Sequence, residues 1–277
     1  MSDNWIVEIL QNALNTWNTK LSEVWTLIST SPEAFKGGAV WNVIENVHGG
    51  LKAIGYGLLV LFFVIGVVKT CGSFAEIKRP EVAVRMFIRF ALAEAAITYG
   101  MELLMAILSV CQGVISEIIG SGGVGGQSAL SVPETIVTAI ESVGFLDSIP
   151  LWIVSLLASL LVTVLSFVVV LTVYSRFFKL YFHAAIAPVA LASFAGQPSQ
   201  SIGVSFLKSY AGVCLEGAII VLACVIYSAM ATSAPAVSGA TAVNMVWSYI
   251  GELVFNLLVL VGAVRLADNT VKQMLGL

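Results

Sequence analysis

The 277 residues are 58% hydrophobic and only 10% charged, with a formal net charge of −3 and a mean hydropathy of +0.97. Soluble domains run about 45–50% apolar and roughly 25% charged, so too few polar groups are present to cover a water-soluble fold. Avid direct binding of nucleic acid is excluded as well: no basic run exceeds Lys78-Arg79, and phosphate neutralisation needs clustered Lys and Arg.

Lipid is therefore the expected solvent, and helices the expected form, because a helix satisfies its own backbone without water. The opening Met1-Ser2-Asp3-Asn4-Trp5 has no basic run and the first Lys is Lys20, so no cleavable signal peptide is expected. Residues 4–28 predict an amphipathic helix. Trp5, Ile9, Ala13, Trp17, Leu21, Val24 and Ile28 recur at spacings of three and four, with Glu8, Gln11, Asn12, Asn15, Asn18 and Ser22 elsewhere. Such a helix lies flat on a membrane, docks on a partner or packs on its own bundle, and the sequence leaves the three open. Ser31-Pro32 and Gly37-Gly38 end it.

The first span is Leu51 to Val68, followed by a basic loop with Lys69, Lys78, Arg79, Arg85 and Arg89. The second runs from about Met86 to Ser109, holding Glu94 and Glu102, and its helix extends toward Ile119. Residues 120–148 form a Gly-rich loop with a short helix over Pro133 to Val143. The letters of Gly120 to Gly125 match GxGxxG but follow a membrane helix rather than a strand, so no nucleotide site is read there. The third span, Ile149 to Tyr174, carries no charge over 26 residues, about 39 Å against a ~30 Å hydrocarbon core.

Leu180 to Ala195 is apolar but only 16 residues long, with Pro188 inside; a crossing needs about 17–25. It predicts a short re-entrant or broken hairpin over 180–208. The fourth span is about Ser209 to Ala231, with Glu216 inside, and the fifth about Val243 to Ala267, with Glu252 inside. The fold class is all-α: a polytopic transmembrane bundle of five spans plus the hairpin and the N-terminal helix. Four regions follow: 1–50, 51–119, 120–148 and 149–277.

With five crossings, Lys69, Lys78, Arg79, Arg85, Arg89, Arg176, Lys179, Lys208, Arg265 and Lys272 share one side, while 110–149 and 232–244 have no Lys or Arg. The positive-inside rule then sets the N-terminus outside and the C-terminus in the cytoplasm. All six Trp fall toward the outer side, where an indole suits the headgroup interface.

Glu94, Glu102, Glu216 and Glu252 are the ionisable groups inside spans. At the bilayer centre a charge costs at least ~2.5–3.5 kcal/mol, so each either lines a wet pore or joins helices, protonated or paired with Arg89, Arg176 or Lys208. Arg176, Lys179 and His183 flank the short hairpin, where a broken helix exposes backbone ends to an ion or substrate; the alternative for Arg176 and Lys179 is headgroup anchoring, and for His183 hydrogen-bonded packing. The four cysteines have no CxxC spacing and the two histidines no metal-site partners. No catalytic, cofactor or metal residue is expected.

The stretch Tyr174-Ser-Arg176-Phe-Phe-Lys-Leu-Tyr181, Ala185-Ile-Ala187-Pro188-Val189, Ser205-Phe-Leu-Lys208-Ser209, Leu215-Glu-Gly217 and Ala223-Cys-Val-Ile-Tyr227 resembles the TrbL-like conjugal transfer proteins of Gram-positive integrative conjugative elements. Glu216 stands where that family more often has Gln, and residues 1–50 carry no motif of it. The resemblance implies a membrane-channel or scaffold subunit of a type IV secretion apparatus in the bacterial plasma membrane. It also implies a homo-oligomeric ring, cytoplasmic ATPases as partners at loop 70–85, other subunits and membrane lipids as neighbours, and single-stranded DNA with its relaxase as cargo only. A stand-alone transporter or ion channel is the alternative.

Overall fold

The computed structural model describes residues 4–70, 80–121, 129–231 and 241–277. Cys71, Lys78 and Arg79 of the basic loop, Gly122 to Gly125 of the Gly-rich motif, and most of the 232–244 loop lie outside the described residues.

Among the described residues the chain is helical throughout: α1 (Trp5–Ser29), α2 (Ala39–Thr70), α3 (Pro80–Thr98), α4 (Gly100–Ser121), α5 (Glu134–Glu141), α6 (Phe145–Leu191), α7 (Gln200–Ala231) and α8 (Ala242–Leu275). Short 3-10 turns over Phe35–Gly38 and Ala192–Ala195 join α1 to α2 and α6 to α7. Gly37 and Gly38 take φ of 70° and 79°, a backbone that favours glycine, and there α1 gives way to α2. Among the described residues five stretches are long and apolar enough to cross a membrane: Phe35–Lys69, Gly100–Ser121, Ser148–Ala195, Gln200–Ala229 and Ala242–Leu275. The protein is an all-α polytopic membrane protein.

Two expectations change. The second span does not run unbroken from Met86 to Ser109: the helix divides at Tyr99, and the apolar stretch is α4. Arg89 and Glu94 dilute the first half with charge, while the backbone bonds Tyr99 N–H to Ala95 O and Leu103 N–H to Tyr99 O, both 2.9 Å, carry the chain through the division. The short hairpin is also not a separate broken piece. α6 is one helix of 47 residues, about 70 Å at the helical rise, and only its end, 180–191, forms the first arm; the chain turns at 192–199. Pro188 costs this helix one backbone bond, to the carbonyl four residues earlier, without breaking it.

The chain folds as two compact units. The first holds α1, the end of α4, α5, α6 to Tyr174, α7 from Ile219 and α8 to Ala267. Its core joins Ile6, Leu10 and Leu14 of α1 to Ile136 and Ile140 of α5, Leu151 of α6 and Val246 and Ile250 of α8. The N-terminal helix thus packs on its own bundle. Its buried stripe is Ile6, Val7, Leu10, Ala13, Leu14, Trp17, Val24, Leu27 and Ile28, so Trp5 and Ile9 lie at its margin rather than in its centre. Asn18 ties α1 to the chain before α5: its amide donates to Leu130 O at 2.8 Å and accepts from Leu130 N–H at 3.0 Å.

The second unit holds Thr30–Ile115, Ser175–Ala218 and Asp268–Leu277. In it α2 runs alongside the end of α6. Phe35 stacks on Phe177 at 4.5 Å, Trp41 faces Tyr181 at 6.4 Å, and Tyr181 Oη donates to Pro32 O at 2.9 Å. Trp17 and Trp41 are buried, so they pack within their units instead of anchoring at headgroups.

Candidate functional site

The second unit concentrates buried polar groups around Arg176 of α6. The charge-free run of the third span ends there, and the next two turns supply Lys179 and His183 on the same helix. Arg176 is almost fully buried. Its Nε donates to Val213 O and its Nη2 to Cys214 O, each at 3.2 Å. Those carbonyls belong to the interior of α7, so the guanidinium adds donors to groups already inside a helix. Gly217 makes room: a Cβ there lies 2.5 Å from Arg176 Cζ. The paired Arg and Glu-Gly elements of the sequence are therefore one contact between α6 and α7.

Glu216, next along α7, is also buried. Its carboxylate accepts from Lys179 Nζ at 3.2 and 3.4 Å, and Lys179 also donates to Asp268 of α8 at 3.1 Å. Asp268 accepts from Lys272 at 2.8 Å. Charges alternate along this chain of four, so the buried carboxylate is compensated, which a low-dielectric interior demands. Sequence reasoning offered Arg89, Arg176 or Lys208 as partners for the intramembrane acids; the ion-pair partner of Glu216 is Lys179 instead. Asp268 was missed, although its spacing of four from Lys272 is a legible helix pair.

His183 sits beside this chain: Nδ1 lies 2.7 Å from Lys179 O and Nε2 3.1 Å from Ser209 Oγ, with Phe206 and Tyr210 against the ring. It is hydrogen-bonded packing between α6 and α7. Beside Arg176, Cys111 of α4 and Cys214 and Tyr210 of α7 are buried neighbours. Lys208 is exposed and donates to Leu275 O at 3.3 Å, capping the end of α8 where carbonyls lack helical partners.

Pro188 also has a consequence beyond its own helix. Lacking an N–H, it leaves the carbonyl four residues earlier without its helical donor. That carbonyl belongs to Ala184, and buried His48 of α2 supplies the bond from Nδ1 at 2.7 Å. A carbonyl only accepts, so His48 carries its proton on Nδ1. α2 comes close enough through Gly55, where a Cβ lies 2.8 Å from Pro188 O. In the sequence Pro188 was read only as breaking a hairpin; nothing there pointed to His48, 136 residues away.

The remaining acids stand apart from this cluster. Glu94 is exposed and accepts from Thr98 Oγ1 at 3.0 Å, and Thr98 also meets Tyr56 Oη at 2.9 Å. Glu102 and Glu252 are exposed on α4 and α8. Glu216 alone of the four is buried.

The profile described as TrbL/VirB6 plasmid conjugal transfer like protein matches residues 17–188. The chain belongs to this family. This TrbL/VirB6-family protein is thus a membrane subunit of a conjugal transfer, or type IV secretion, system. The match covers α1 from Trp17, α2 to α5 and α6 as far as Pro188. It includes Arg176, Lys179 and His183 but not Lys208, Glu216 or Gly217. The family signal therefore lies mainly N-terminal to the stretch whose letters carried the resemblance, and it reaches into residues 1–50, where no motif was read. No curated protein matches the TrbL/VirB6-family chain. No solved structure matches it either.

Proposed function

We propose that this chain is a channel or scaffold subunit of the transfer apparatus, supporting export of single-stranded DNA with its relaxase. The observation that carries the reading is the family match across residues 17–188. DNA is cargo rather than a ligand, in keeping with the net charge of −3 and the lack of a basic run. The subunit works without a catalytic centre of its own, in a homo-oligomeric ring, with cytoplasmic ATPases meeting the segment 70–85 and with other transfer subunits around it.

In this reading the chain crosses the bacterial plasma membrane five times, N-terminus outside and C-terminus in the cytoplasm. Two observations support it. One unbroken helix crosses a bilayer once, and α6 is unbroken through Leu191, so 149–174 and 180–195 do not count as two crossings. The Lys and Arg of the loops then gather on one side. The exposed Glu94, Glu102 and Glu252 are the candidates for contact with a wet path or a neighbouring subunit, while Glu216, Arg176, Lys179, His183, Pro188 and Gly217 hold the helices.

The test is conjugative transfer from a donor with an in-frame deletion, with and without the gene restored. Loss of transfer and its rescue are expected. Undiminished transfer sinks the assignment and leaves a stand-alone transporter or ion channel.

A further inference from the structure

In the second unit, α2, α3 and the turn after α6 enclose a groove of about 140 Å³. That is well above the ~10–15 Å³ one water needs, so a group the size of a phosphate enters. Its walls are of two kinds. Phe63, Val82 and Met86 are apolar; Arg85, Arg89 and Gln197 are polar. Arg85 and Arg89 are four residues apart on α3 and so share one face. Among the described residues neither has an ion-pair partner: the described pairs use Lys20, Lys179 and Lys272. Glu81, one turn before Arg85 and beside it on the adjoining surface, stays beyond ion-pair distance.

The surroundings say which anion belongs there. On α3, Phe87, between the arginines in sequence, is 69% exposed, and Leu92, three residues after Arg89, is 65% exposed. On α2, Val60, Leu61 and Val64 are exposed as well. Large side chains of this kind are stable in contact with acyl chains rather than water. Two guanidiniums without an ion-pair partner among the described residues, amid such surface, suit a phosphodiester headgroup, because the planar fork of Arg matches phosphate oxygens two at a time. A nucleic-acid strand lacks the acyl chains that would cover Phe87 and Leu92.

We propose that this groove binds the headgroup of an anionic phospholipid through Arg85 and Arg89, with Gln197 bonding a headgroup hydroxyl or phosphate oxygen. The proposal does not rest on a role in DNA export, and transfer is not its readout.

The test uses the full chain purified in micelles containing equal amounts of phosphatidylglycerol and phosphatidylcholine, with retained lipid counted by native mass spectrometry. Selective retention of phosphatidylglycerol is expected, falling on the order of tenfold in Arg85→Gln/Arg89→Gln, as loss of charge-assisted hydrogen bonds implies. Val82→Trp fills the groove and keeps both charges; it should also lose the lipid, and it carries the test if the double variant does not fold. Equal retention of the two lipids, or unchanged phosphatidylglycerol in both variants, overturns the proposal. So does displacement of the lipid by millimolar inorganic phosphate, which would mark a site for a free anion, or by a single-stranded oligonucleotide, which would mark one for nucleic acid.

Discussion

The two units differ in how far their buried polar side chains reach. In the first, the buried serines Ser155 and Ser166 each donate to a carbonyl one turn back in their own helix, Leu151 O at 2.8 Å and Val162 O at 2.7 Å. Helices there meet through aliphatic side chains. In the second, His48, Arg176 and Glu216 bond from one helix to another. Where lipid surrounds the protein, helix association gains little from hydrophobic burial, since lipid is as apolar as the side chains. Cross-helix polar contacts and close backbone approach then decide which helices pair, and the second unit has both, at Arg176 with Gly217 and at His48 with Gly55.

Four substitutions test that contrast. The largest effect is expected at Gly217→Ala, which drives the Arg176 guanidinium off two carbonyls and leaves a buried charge without them. The loss should be about 3 kcal/mol, read as a fall of about 6–12 °C in the unfolding midpoint of purified protein. An unchanged midpoint would mean that the α6–α7 contact does not depend on this lock. Next comes His48→Ala, which strands the Ala184 carbonyl at a cost of about 1–3 kcal/mol. Adding Pro188→Ala restores a backbone N–H to that carbonyl, so the double variant should recover part of the loss; a double variant no better than the single one refutes the pairing. The smallest belongs to the first unit: Ser155→Ala removes a bond inside one helical turn and should shift stability by less than about 0.5 kcal/mol. A loss as large as that at His48 would erase the distinction between the units.

The elements were readable because each is written locally. The lengths of the apolar runs located four of the five spans and set the second too early, the three–four spacing of 4–28 located α1, and Pro133 and Gly37-Gly38 marked a start and a break. Charge was the poorer guide. Glu94 and Glu216 both read as acids inside a span, yet one is exposed and the other buried against Lys179. Residue type and spacing along one helix do not say which face another helix will cover. Pro188 misled for a related reason: it marks a lost backbone bond, and what supplies the missing donor lies in another helix.

By itself, the amino-acid sequence determined that this protein lives in lipid, that it is helical, and roughly where its spans fall, because hydropathy and helical periodicity are sums over neighbouring residues. Tertiary structure alone decided that 145–191 is one helix, that Lys179 rather than Arg176 pairs with Glu216, and that His48 completes the backbone at Pro188. The last two depend on groups far apart in the chain being brought within about 3 Å, the range over which a hydrogen bond acts, and no local pattern encodes that approach.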